Sequence, residues 1–170
     1  EVLAISADHV VFKQRKRQKG REQYVSAEQK GKTIRVQEGK ANFIVNLYDY
    51  LDTGLFIDHR SLRMFFGSQL PGKRLLNCFC YTGAFSVHAA LNGLLTWNVD
   101  LSKTYLQWAK DNFRANQIDM SRHHFIQADC LAWLKDCRET FDVILLDPPS
   151  FSNSKRMQGV LDVQRDYEFL

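Results

Sequence analysis

Phe141-Asp142-Val143-Ile144-Leu145-Leu146-Asp147-Pro148-Pro149-Ser150-Phe151 opens as a short, almost continuously apolar run and closes on an acid, two prolines and an aromatic ring. The apolar, β-branched part reads as a strand covered on both faces, as in a parallel sheet. Pro148 and Pro149 cannot donate to a strand ladder and fix their own φ, so the strand must end there in a rigid extended corner. Carbonyls in such a corner are unpaired and can accept from an exocyclic amine. Asp147 can accept as well, and Phe151 offers a face on which a flat ring can stack. The plainer alternative is a strand followed by a Pro-Pro turn with an ordinary capping acid.

Working upstream, the same strand character recurs in alternation with helix. Arg74 to Phe79, Leu95 to Asp100 and His124 to Ala128 read as strands. Ala84 to Leu91 reads as a helix stopped by Asn92-Gly93. Ser102 should cap a second helix, whose Tyr105, Leu106, Trp108, Ala109 and Phe113 follow helical spacing. A third helix is expected over Leu131 to Lys135. Strand–helix alternation of this kind predicts a parallel sheet with right-handed crossovers and ligands at the carboxyl ends of its strands.

Chemistry-bearing residues fall at those ends. Asn77-Cys78-Phe79-Cys80-Tyr81-Thr82-Gly83 leads from the first strand into a helix, where Gly83 lets backbone come close to a ligand and the helix N-terminus presents free N–H groups. The pattern G-x-G-x-x-G is absent, which counts against a nicotinamide dinucleotide. Asp100 ends the second strand, where an acid can accept from both hydroxyls of a ribose. Asp129 ends the third and could accept from an adenine amine. Each acid alone reads rather as a helix cap; three of them at successive strand ends, with the Pro-Pro corner on the fourth, form a pattern.

The 170-residue chain, 45% hydrophobic, is long enough for one core. No apolar stretch approaches the ~20 residues that span a bilayer, and the first residues do not read as a signal peptide. Cys78, Cys80, Cys130 and Cys137 read as reduced thiols of a cytoplasmic protein. Cys78-x-Cys80 without a second pair does not make a zinc site, and no metal is expected. Formal charge is uneven: the first 40 residues hold ten basic and five acidic side chains, whereas residues 41–170 hold thirteen and fourteen. Lys13, Arg15, Lys16, Arg17, Lys19 and Arg21 crowd around Gly20, flanked by Phe12 and Tyr24. They suggest an arm that follows nucleic-acid phosphates, the alternative being a solvated turn. Thr33 to Gln37 and Asn42 to Asn46 read as a hairpin, and a helix is expected from about Asp58 to Leu70, before Pro71-Gly72. The chain thus divides into a basic β-rich region, 1–48, and a Rossmann-like α/β region, 49–170.

Taken together, the loop at 77–83, Asp100, Asp129 and the D-P-P-x-F run at Asp147 to Phe151 resemble the motifs of class I S-adenosylmethionine-dependent methyltransferases. More closely, Asn46 to Arg60, Gln127 to Leu134 and Asp147 to Met157 are similar to the C-terminal half of the bifunctional ribosomal large subunit methyltransferase K/L family. The likeness runs over nearly the whole chain. Cys78 and Cys80 depart from the Leu or Ser expected in the first motif, and Leu170 falls soon after the fourth strand of a fold that normally adds three more. The sheet is therefore expected to be truncated and the fragment inactive alone.

The resemblance implies a cytoplasmic enzyme, with no membrane partner, that methylates guanine nitrogen 7 in 23S ribosomal RNA with S-adenosylmethionine as cofactor. It also implies which residues act. Phe56, Asp58 and Arg60 would close the cofactor site, Asn77, Phe79, Tyr81, Thr82 and Gly83 would form its loop, and Asp100, Leu101, Ser102, Asp129 and Cys130 would hold the nucleoside. Asp147 and the Pro148 carbonyl would hold the cofactor or the base edge, Pro149 and Phe151 would complete the clamp on the base, and Asn153, Ser154 and Lys155, with the basic arm, would bind RNA backbone. Because nitrogen 7 carries a free lone pair, Asp147 is expected to position rather than to remove a proton. The alternatives are an RNA cytosine carbon-5 methyltransferase, which needs a nucleophilic cysteine beyond Leu170, and a noncatalytic RNA-binding module.

Overall fold

The computed structural model describes residues 5–6, 9–12, 31–50, 52–70, 72–149, 151–152 and 161–166. A hairpin comes first. Strand β1 (Ile34–Glu38) runs antiparallel to β2 (Ala41–Val45), in a register that sets Ile34 against Val45 and Glu38 against Ala41. Alternation along β2 buries Ala41, Phe43 and Val45, as its period of two requires. A single 3-10 turn, Ile57–His59, then leads into α1 (Arg60–Phe66).

That helix is shorter than the expected Asp58–Leu70. Glycine is a poor helix residue, and at Gly67 the chain closes off: the amide of Gly67 donates to Arg63 O, and those of Ser68 and Gln69 to Phe65 O. Leu70 then turns into the core.

Alternation takes over with β3 (Arg74–Cys78), α2 (Ala84–Leu91), β4 (Leu95–Asp100), α3 (Lys103–Ala115), β5 (His124–Gln127), α4 (Cys130–Asp136) and β6 (Val143–Leu146). The four strands form one parallel sheet in the order β5-β4-β3-β6, so the chain crosses from one side of β3 to the other between β5 and β6. The expected parallel α/β architecture is borne out. A short antiparallel pair, β7 (Phe151–Ser152) with β8 (Leu161–Asp162), precedes α5 (Val163–Asp166).

Both helix starts show local sequence acting directly. Ser102 caps α3 by accepting from the Tyr105 amide, and Asp129 caps α4 by accepting from the Leu131 and Ala132 amides. Side chains from alternate positions of β3 point to opposite faces. Leu75 packs with Phe66, Leu70, Phe85 and Ala89. Leu76 and Cys78 pack with Trp97, Val99 and Cys130. The hairpin docks on α2 and α3 through Phe43, Val87 and Phe113, and α3 bonds its backbone directly. Asn112 Oδ1 accepts from the Ile44 amide at 2.8 Å, Asn116 Oδ1 accepts from the Asn42 amide at 2.7 Å, and Trp108 Nε1 donates to Ile44 O at 2.7 Å.

One expectation fails in β6. Its apolar run predicts cover on both faces, yet Ile144 is 58% exposed. Val143 and Leu145 meet the α1–α2 side and Leu146 the α4 side, but among the described residues β6 pairs with β3 alone. The run also enters the ladder late. Asp142 serves as a link, its carboxylate accepting from the Lys73 and Arg74 amides.

Candidate active site

The carboxyl ends of β3, β4, β5 and β6 lie side by side, and the loops that follow them line a cavity of about 680 Å³. That size suits a nucleoside-scale ligand. The loop after β3 forms its floor. Phe79 and Tyr81 have φ of 56° and 50°, a left-handed conformation that side chains with a Cβ seldom adopt. Each such residue costs roughly 1–3 kcal/mol unless its surroundings hold it. Here they do: the Phe79 amide donates to Cys130 Sγ at 3.2 Å, the Tyr81 amide to Asp100 Oδ2 at 2.9 Å, and the Cys80 amide to Val99 O at 3.1 Å. The Thr82 hydroxyl, fully buried, donates to Gly54 O at 2.7 Å.

Gly83 has a left-handed φ of 69°, but it is not part of the cavity wall. A Cβ there would lie 2.9 Å from the Ala109 side chain. The missing side chain lets α3 pack close at this point. Arg60 also lies outside the wall, at the start of α1.

Asp100 ends β4 facing the cavity, with Oδ1 accepting from the Ser102 amide at 2.8 Å and Oδ2 from Tyr81. Burial raises its pKa above the ordinary carboxylate value, and those two amides counter the rise. Each oxygen keeps a further lone pair for a donor on a ligand. Asp129 spends Oδ1 on the α4 cap, at 3.0 and 3.3 Å, and among the described residues Oδ2 has no partner. Beside it the Cys130 thiol donates to Val99 O at 3.4 Å, and contact with Cys78 together with burial pushes its pKa up, so it stays protonated. Cys80, in the floor, is likewise pushed well up by burial.

Aromatic rings form one side. Tyr81 meets Tyr105 edge-on at 4.6 Å and Phe56 at 5.3 Å. Burial raises both phenols above their ordinary pKa, which keeps the hydroxyl protons in place. The Gly54 amide approaches the buried Tyr81 hydroxyl closely enough to temper that rise, although no hydrogen bond of full geometry reaches it among the described residues.

Opposite the Pro-Pro corner stands the segment Leu55 to His59. Asp147, Pro148 and Pro149 line the cavity from β6, and His59 Nδ1 lies 3.6 Å from Asp147 Oδ2. The His59 ring sits between Phe56, at 6.3 Å, and Phe85, at 5.8 Å. Asn77, buried near the end of β3, donates from Nδ2 to the Ser86 hydroxyl and borders the cavity.

Of the residues singled out from sequence, the structure gathers Phe56, Asp58, Asn77, Phe79, Tyr81 and Thr82 around one cavity. Asp100, Leu101, Ser102, Asp129, Cys130, Asp147, Pro148 and Pro149 complete its wall. The basic arm, Lys13 to Arg21, lies outside the described residues, as do Asn153, Ser154, Lys155 and the side chain of Phe151. Sequence reasoning missed Asp52, Gly54, His59, Arg63, Phe85 and Tyr105 as wall residues. His59 lay between two residues already chosen, and Tyr105 in the first turn after a strand-end acid, so both carried a local signal. Arg63 carried none.

A parallel sheet whose strand ends bring three acids and a Pro-Pro corner around one nucleoside-sized cavity defines a class I methyltransferase. The family model of S-adenosylmethionine-dependent methyltransferases matches residues 2–168, and the chain belongs to that family. It is 62% identical, over 97% of its length, to the ribosomal RNA large subunit methyltransferase K/L of Legionella pneumophila strain Corby, and spans 23% of that protein. Its fold is also similar to the crystal structure of the methyltransferase SMU.776 complexed with SAH, with a TM-score of 0.75 and 37% identity, over 81% of this chain and 37% of that one. An S-adenosylmethionine-dependent methyltransferase from Agrobacterium tumefaciens gives a TM-score of 0.69 at 25% identity, covering 79% of this chain and 45% of that one.

The cofactor is therefore S-adenosylmethionine, and the wall fits it. Free lone pairs on Asp100 match a pair of ribose hydroxyls, and the open Oδ2 of Asp129 matches an adenine amine. Among the described residues no helix is long and apolar enough to cross a membrane.

Proposed function

We propose that this chain methylates nitrogen 7 of a guanine in 23S ribosomal RNA. The observation that carries the reading is the 62% identity, across 97% of the chain, to a ribosomal RNA large subunit methyltransferase K/L. The activity would belong to a longer protein, since the chain spans about a quarter of the curated relatives it matches.

S-adenosylmethionine supplies an electrophilic methyl group on sulfonium. Guanine nitrogen 7 meets it with a lone pair, so the protein need not remove a proton first; in-line positioning and fixed dipoles then do most of the catalysis. Asp100 holds the ribose, Asp129 the adenine amine, and Leu101 with Cys130 packs the adenine ring. Asn77, Phe79 and Thr82 shape the floor, while Phe56 and Asp58 close the side facing Asp147. Asp147 and the Pro148 carbonyl orient the base edge, and Pro149 keeps that corner rigid. Phe151 stacks on a base withdrawn from its helix. Asn153, Ser154 and Lys155 bind the flanking backbone, and the basic arm within residues 1–48 follows phosphates.

The test is mass-spectrometric mapping of 23S ribosomal RNA after incubation with the full-length protein and S-adenosylmethionine. One new methyl on a guanine base, labile as a nitrogen-7 adduct is, should appear, and Asp147→Ala should abolish it. A methyl on a pyrimidine carbon, or on guanine nitrogen 2 in a protein whose other methyltransferase site has been inactivated, would overturn the assignment.

A further inference from the structure

Arg63 is 1% exposed, yet it lies in the cavity wall with all three guanidinium nitrogens engaged. Nε and Nη2 donate to the two carboxylate oxygens of Glu38, each at 2.8 Å, and Nη1 donates to Phe56 O at 2.5 Å. His88 Nε2 lies 3.1 Å from Glu38 Oε1. Burial alone would lift the Glu38 pKa, but bonding to Arg63 and then to His88 holds it below the ordinary value; burial holds His88 below its own. At neutral pH the cluster is thus one carboxylate, one guanidinium and a neutral imidazole. Such a pair is a poor source of stability, because desolvating both charges offsets most of their attraction, and apolar replacements are often tolerated.

Position gives the pair a different use. Glu38 is the last residue of β1, at the hairpin turn, and Phe56 immediately precedes the 3-10 turn. That turn has no side-chain cap. Arg63 Nη1 ties this segment to the hairpin side at Phe56 O, beside the Arg60 amide that donates to Ile57 O. Beyond it His59 reaches toward Asp147 at 3.6 Å. The path from hairpin to Pro-Pro corner runs from Glu38 through Arg63 to the Phe56 carbonyl, then along the backbone to His59, which faces Asp147.

We infer that Glu38 and Arg63 are positioning residues of the methyltransferase site, clamping the Phe56–His59 wall to the hairpin and holding it opposite Asp147. The inference rests on the cofactor and base lying in this cavity, as proposed above. Moving a substrate wall by about 1 Å from outside the chemistry can cost on the order of 100-fold in rate.

The experiment uses the full-length protein, with S-adenosylmethionine affinity measured by calorimetry and single-site turnover on 23S ribosomal RNA. Wild type is measured first; absence of cofactor binding there would sink the proposed function itself. E38Q/R63M removes both charges while leaving His88 a hydrogen-bond acceptor. It should melt within a few degrees of wild type but lose about 10- to 100-fold in kcat/KM for methylation. R63K, which keeps the charge and loses the fork that spans Glu38 and Phe56 O, should show a similar loss. If E38Q/R63M does not fold, R63K decides on the same readouts. A third arm needs no variant: the Arg60 amide, which donates to Ile57 O and closes the turn, should resist hydrogen exchange in wild type before cofactor is added. Full activity in a folded variant, or free exchange of the Arg60 amide, would overturn the inference and leave the cofactor assignment standing.

Discussion

Replacing Asp100 by alanine is the sharpest trial of the pocket, because the geometry separates what the change does to the ligand from what it does to the loop. In the free protein each carboxylate oxygen already accepts one backbone amide, from Ser102 at 2.8 Å and from Tyr81 at 2.9 Å. A ribose would add two hydroxyl donors to the remaining lone pairs. Hydrogen bonds to a charged acceptor contribute roughly 1.5–3 kcal/mol each. Part of the pair's gain is spent restoring what burial costs Asp100, whose pKa it raises, so the net loss of affinity is set at about 2–4 kcal/mol. This corresponds to roughly 30- to 1,000-fold in Kd. Calorimetric titration of the full-length protein measures it, and one internal control follows from the chemistry. S-adenosylmethionine and S-adenosylhomocysteine share the ribose, so both must weaken by the same factor. Stability should fall as well, by about 1–3 kcal/mol, because the Tyr81 and Ser102 amides lose their acceptor. A folded Asp100→Ala protein that binds both ligands within threefold of wild type would refute the placement of the ribose.

Three further outcomes follow from other parts of the molecule. Replacing Arg15, Lys16 and Arg17 together by alanine should lower the log–log salt slope of RNA binding by about 2, at about 0.7 per lost phosphate contact, with cofactor affinity unchanged; an unaltered slope returns the segment to a solvated turn. Asn112→Leu removes the acceptor of the Ile44 amide and the donor to Thr82 O inside a fully buried site. It should cost about 2–4 kcal/mol of unfolding free energy in urea, from two buried groups left unpaired, and a change below 1 kcal/mol would mean that the hairpin is held otherwise. His123, whose pKa burial lowers from 6.5 to about 4, binds its proton more readily unfolded than folded. Its contribution to stability is therefore complete above pH 6.5 and is lost as pH falls from there toward 4, with His88 acting in the same direction. Urea midpoints should drop over that window and drop less in His123→Gln; identical pH profiles would dismiss the linkage.

Local signals accounted for much of the scaffold. Ser102 and Asp129 are caps where a cap is needed, β4 runs from Leu95 to Asp100 and α2 from Ala84 to Leu91 as read, and the strand-end acids all face the cavity. Such features depend on a residue and its neighbours within a turn or so, which is the range over which caps, period and propensity act. Where the reading erred, a distant partner intervened. Gly83, read as an approach for a ligand, also makes room for Ala109, 26 positions further on in the chain, which no local signal announced. The apolar run of β6 implied two covered faces, but burial depends on what lies across the sheet, and Ile144 is left open.

The cavity wall divides along the same line. The amino-acid order alone established an alternating α/β chain of the methyltransferase type, and it placed Asp100, Asp129 and the Asp147-Pro148-Pro149 corner at strand ends, because each of these is a property of a short segment. Strand order was settled only in three dimensions. Pairing of β6 with β3 carries Asp147 across the sheet to face His59, and burial joins Arg63 to Glu38, 25 residues away, and to the Phe56 carbonyl. No spacing encodes those meetings, since a hydrogen bond between distant residues exists only after the hydrophobic faces have chosen their partners and excluded water from the charges between them.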